Sequence, residues 1–69
     1  MEPETELILE NIRKKRLEKG ISVPKLSLEV GISRSHLYYI ETKRTIPSVD
    51  VLVRIAKSLD IKLTELVNI

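Results

Sequence analysis

Apolar residues along the chain recur at helical spacing and are interrupted by sharp breaks. Ile8, Leu9 and Ile12 share one stripe with Arg16, which predicts a first helix from about Thr5 to Lys19. Gly20 ends it where a left-handed backbone is needed. Acids lie at its start and Lys/Arg at its end, the polarity that the helix dipole favours. Ser22 opens a second helix with Pro24 in its first turn, where a missing N–H costs nothing. Leu26 and Val30 form an i, i+4 apolar pair before Gly31 stops that helix. Ser33 caps a third, running to about Thr42 with Leu37 and Ile40 turned inward. Ser48 caps a fourth, in which Leu52, Ile55, Ala56 and Leu59 make a core-facing stripe. Leu63, Leu66 and Val67 supply a short fifth. No run alternates with period two between hairpin turns, so strands are not expected. The pattern predicts an all-α, compact five-helix fold in a single domain over 1–69, with residues 1–4 as a frayed acidic head.

Length sets the scale of this core. A chain of 69 residues buries only roughly 60% of the surface that its unfolded form exposes. The hydrophobic share of 42%, almost all Leu, Ile and Val, supplies one modest core. There is no Cys, which removes disulfides, zinc fingers and redox pairs, and His36 is the single histidine. No metal site, cofactor, small-molecule ligand or catalytic centre is implied, because nothing assembles a nucleophile, a base and an oxyanion site. No apolar run approaches the roughly 20 residues of a membrane span and no signal peptide is recognisable, so a soluble cytoplasmic chain is expected.

Charge sharpens the picture. The net charge is +2, but Glu2, Glu4, Glu6 and Glu10 crowd the first ten residues. The remainder carries 12 bases against 6 acids. A basic body with an acidic head suggests an anionic partner, nucleic acid or a lipid surface, although a solvated basic face would read the same way.

The informative stretch is Ser22 to Glu41, two helices of about eight residues around the turn Gly31-Ile32-Ser33. This is the spacing of a helix-turn-helix, in which a glycine in the turn lets two helices cross steeply. Ser27, a small residue, sits where the two backbones would approach. An ordinary αα-corner would show the same two-helix pattern. The outer face of the third helix separates the two readings: Arg34, Ser35, Tyr38 and Tyr39 share one arc, opposite Leu37 and Ile40, with no acid among them. Arg can bind guanine O6 and N7 together, and the hydroxyls can reach base edges or phosphates. Tyrosines are also common at protein interfaces.

The chain resembles the Cro/CI-type (Xre-like) helix-turn-helix family of phage repressors and small bacterial regulators from about Asn11 to Val67. The resemblance rests on Ile12-Arg13 with Arg16, Gly20-Ile21-Ser22, Leu26, Val30 to Ser35, Ile40-Glu41, Pro47-Ser48, Leu52, Ile55-Ala56-Lys57, Leu59, Ile61 and Glu65-Leu66. As a small member the chain is also similar to controller proteins of restriction–modification systems. The resemblance implies a lambda-repressor-like fold and sequence-specific binding of double-stranded DNA, with the third helix in the major groove. Arg34, Ser35, Tyr38 and Tyr39 then read bases, and Ser33, His36, Lys43, Arg44 and Lys25 hold phosphates. Arg16 and Glu41 match a structural ion pair between the first helix and the end of the third. A homodimer on a palindromic operator is expected, its interface drawn from Ile61, Leu63, Thr64, Val67 and Ile69.

Several positions depart from the family pattern. Val23 and Pro24 follow Ser22 where the family usually has a phosphate-contacting Gln, so that contact is withheld. Lys43 and Asp60 stand at helix ends where Gly is usual, and Lys62 stands where a capping Ser is common. Val23 and Leu28 read as exposed apolar residues. Two competing functions stay open: a protein-interaction module such as an antitoxin or antirepressor partner, and a basic surface binding RNA or lipid without sequence preference.

Overall fold

In the computed structural model, which describes residues 1–68, five helices follow one another with no strand among the described residues. They are α1 (Pro3–Glu18), α2 (Val23–Val30), α3 (Arg34–Glu41), α4 (Val49–Ser58) and α5 (Leu63–Val67). The all-α, five-helix expectation holds. The start of α1 differs from the expected Thr5. Pro3 opens the helix, its ring preset for a first turn, so α1 takes in Pro3 and Glu4 as well.

One local device closes four of the five helices. Gly20, Gly31, Lys43 and Asp60 all adopt positive φ. After each, the next residue's N–H reaches back five residues: Ile21 to Arg16, Ile32 to Ser27, Arg44 to Tyr39 and Ile61 to Ala56, at 2.8 to 3.1 Å. This is the six-to-one closure that satisfies the last carbonyls of a helix. Ile21, Ile32 and Ile61, the residues after three of these turns, pack against the core. Ser22, Ser33 and Ser48 then cap the following helices by accepting the N–H of Lys25, His36 and Val51. Lys62 has no side-chain acceptor to cap α5, and the Glu65 carboxylate instead accepts the Lys62 N–H at 2.8 Å.

The core lies between all five helices. Leu9, Ile12, Leu26, Val30, Leu37, Ile40, Ile55, Ala56, Leu59 and Leu66 are each at most 2% exposed. Each fully buried Leu or Ile contributes roughly 1.5–3 kcal/mol. α1 packs on α3 and α5, α2 on α3 and α4, and α4 on α5. Asn11 ties α1 to α5 by donating to the Leu66 carbonyl at 2.9 Å. Among the described residues no helix is long and apolar enough to cross a membrane.

Candidate nucleic-acid interface

α2 and α3 meet at their inner faces. Ser27 is 3% exposed there, and its hydroxyl donates to the Pro24 carbonyl at 3.0 Å, so no polar atom is stranded in the contact. Its own carbonyl accepts the N–H of both Gly31 and Ile32. Gly31, at φ +85°, turns the chain into the Ser33 cap and fixes where α3 begins.

The far end of α3 is anchored to α1. Arg16 Nε donates to Glu41 Oε2 at 2.8 Å and a second guanidinium nitrogen to Oε1 at 2.9 Å. A third guanidinium contact reaches the Ile21 carbonyl at 2.9 Å. Both residues are buried. The hydrogen bond to Glu41 raises the Arg16 pKa against the opposing effect of burial. The expected pair is therefore formed, in the fork-to-fork geometry for which Arg is suited.

With Glu41 turned inward, the outer face of α3 carries Arg34, Ser35, Tyr38 and Tyr39, all exposed. The two rings lie 5.9 Å apart and tilted by 60°. The left-handed turn at Lys43 brings the Arg44 N–H to the Tyr39 carbonyl at 2.8 Å. It also leaves the Arg44 guanidinium 5.6 Å from the Tyr39 ring centroid, a cation–π approach. Arg34, Ser35, Tyr38, Tyr39 and Arg44 thus line one open cleft of about 400 Å³, together with Val23. Lys25 and Ser33 line a neighbouring cleft with Arg34, at the N-termini of α2 and α3.

Not every expected site residue joins these clefts. His36 is half-buried and lines neither. Lys43 is paired with Glu10 on α1, and that hydrogen bond raises its pKa above the ordinary 10.5. Its ammonium thus meets an anion of the chain itself, in a pair that is open to water. Ile61 and Leu63 are half-buried and pack against the protein's own core, while Thr64 and Val67 are exposed. Ile69 lies outside the described residues. Val23 corrects the expectation of an exposed aliphatic: it is half-buried, packs on the core and faces the α3 cleft. Sequence reasoning missed this placement and the Glu10–Lys43 pair. Leu28 is exposed as expected, at 81%.

A family profile described as Helix-turn-helix matches residues 12–66. The chain belongs to the helix-turn-helix family. It is 43% identical over 56 residues to the HTH-type transcriptional regulator SlrR of Bacillus subtilis, covering 80% of this chain and 37% of SlrR. The match thus takes in well under half of SlrR. The fold is similar to the restriction-modification controller protein C.AhdI from Aeromonas hydrophila. That match has a TM-score of 0.84 and 27% identity, covering 91% of this chain and 94% of the other. It is also similar to SinR, a master regulator for biofilm formation solved in complex with DNA. There the TM-score is 0.77 and the identity 33%, covering 86% and 95% of the two chains. The relatives are named as regulators, not as enzymes.

Proposed function

We propose that the chain is a sequence-specific double-stranded DNA-binding regulator that acts as a repressor by laying α3 in the major groove. The observation that carries this reading is the cluster of Arg34, Ser35, Tyr38, Tyr39 and Arg44 on one exposed face, while Glu41, the one acid of α3, is sequestered by Arg16. A duplex offers base edges and phosphates to such a face, and both reward donors. The solved SinR–DNA complex on a similar fold supports the same direction. In this reading Arg34, Ser35, Tyr38 and Tyr39 contact bases. Ser33, His36, Arg44 and Lys25 contact phosphates, aided by the positive N-terminus of α3. Lys43 would join them only by exchanging Glu10 for a phosphate.

One recognition helix reads too few base pairs for a useful specificity ratio across a genome. The reading therefore includes a two-fold dimer on a palindromic operator, with half-site centres about 34 Å apart. The exposed Thr64 and Val67, with the accessible parts of Ile61 and Leu63, supply its surface. A cytoplasmic location belongs to the same reading. The protein-interaction alternative rests on Leu28 and the two exposed tyrosines, which could anchor a partner instead.

The test is selection of bound sites from a random duplex pool, followed by two variants on the best site. Arg34→Ala should weaken that site by about 1–3 kcal/mol and spare non-specific binding, whereas Arg44→Ala should weaken all sequences alike. For a dimer touching six to ten phosphates, log K should fall against log salt with a slope of roughly −5 to −9. A slope near zero, or no duplex binding at low salt, would refute the DNA reading in favour of the protein-interaction one.

A further inference from the structure

Val23 has no part in the assignments above, yet it shapes the α3 cleft. It is the first residue of α2 after the Ser22 cap. From there it packs partly on the core and partly into the space bounded by Arg34, Ser35, Tyr38, Tyr39 and Arg44. The cleft therefore has an aliphatic wall and two aromatic walls, with donors at its rim. Base edges in the major groove present donors and acceptors, and the apolar group that projects from them is the C5-methyl of thymine. An apolar recess on a groove-facing helix gains little from a polar edge, which would lose its water without a partner. It gains from a methyl. The Arg44 guanidinium beside Tyr39 and the tilted contact between the two rings favour a recess that is already formed before binding, which lowers the ordering cost.

We propose that this cleft is a methyl pocket for a thymine adjacent to a guanine read by Arg34, and that Val23 is a specificity-determining residue. This rests on the DNA-binding reading. Arg34 borders the same recess, so its fork and the methyl contact address neighbouring base pairs. A 5-methylcytosine carries its methyl at the same ring position and makes the same contact with Val23, whereas unmodified cytosine lacks that contact.

The experiment measures affinity for the best selected duplex with each thymine replaced singly by uracil, which removes only the methyl. One position in each half-site should lose about fourfold, the burial of a single methyl at ~0.8 kcal/mol converted at 1.4 kcal/mol per tenfold. Cytosine at that position should bind more weakly than 5-methylcytosine. Val23→Ala should abolish the thymine-to-uracil discrimination there and leave other positions unchanged. Val23→Thr, which keeps the shape but places a hydroxyl in the recess, should also reduce it, and thermal melts confirm that both variants fold. Tight, selective binding that is indifferent to uracil at every thymine would overturn the pocket while leaving the DNA reading intact. Absence of duplex binding would overturn both.

Discussion

Replacing Glu41 by Ala should strongly destabilise the protein, and the geometry sets the size of the effect. The substitution removes both hydrogen bonds from the Arg16 fork, at 2.8 and 2.9 Å. It leaves a guanidinium whose side chain is only 10% exposed. Breaking a buried pair in this way typically costs about 3–5 kcal/mol, because the remaining charge stays desolvated. Arg16 keeps its bond to the Ile21 carbonyl, which places the expected loss near the lower end, at about 3 kcal/mol. At roughly 0.05–0.15 kcal/mol per residue, a domain of this length has about 3–10 kcal/mol to lose. The melting temperature should therefore fall by roughly 12–24 °C, read by circular dichroism with urea titration as a second measure. The Arg16 pKa is raised, and a raised basic pKa gives stability that is full below the unfolded value and lost only above it. Arg16 thus stays charged throughout the usable pH range, and the loss on substitution should not depend on pH from the alkaline side. The double variant Arg16→Met with Glu41→Leu should recover most of the stability, since an apolar pair needs no compensation. A fall of less than about 4 °C for Glu41→Ala, or a double variant no better than the single one, would refute the buried-pair argument.

Two further outcomes follow from other parts of the fold. Asp60 is exposed and holds φ +55° at the end of α4, so Asp60→Gly should relieve left-handed strain and stabilise the protein by about 1 kcal/mol; a lower melting temperature would contradict this. For the proposed dimer, Val67→Glu is a better probe than a change at Leu63, because Val67 is 39% exposed while Leu63 packs on the core. Val67→Glu should yield monomers by sedimentation at micromolar protein with helicity unchanged, and an undisturbed dimer would exclude α5 as its interface.

The helices were legible because their boundaries are written locally. Gly20, Gly31 and the three serine caps act through backbone groups within five residues of themselves, so sequence neighbours suffice to locate them. The inward stripes were legible for a related reason: Leu37 and Ile40 can both be buried only if α3 turns one face to the core. That face fixes the opposite one, which is why Arg34, Ser35, Tyr38 and Tyr39 could be grouped from spacing alone. Val23 escaped because it belongs to no stripe. At the first position of a short helix its surroundings come from α3 and from Arg44, and periodicity within α2 says nothing about either.

Lys43 shows where such reasoning stops and why. Its left-handed backbone could be anticipated, because a helix must close and the residue after Thr42 stands where glycine is usual. The fate of its ammonium could not. The backbone turn fixes the direction in which the side chain leaves, but its partner is Glu10, 33 residues earlier on a different helix. A lysine has a flexible four-carbon stem and no fork to constrain it, so its charge goes to whichever anion the tertiary packing brings within reach. Here that anion comes from the acidic first ten residues, which looked like a separate head in the composition. From Pro3 onward they lie on α1, which packs beside α3, and Glu10 there meets Lys43. Both side chains are open to water, so the pair is weak and a competing anion can displace Glu10. Lys25, Arg34 and Arg44 sit where the two clefts open, the arrangement on which the proposed reading draws.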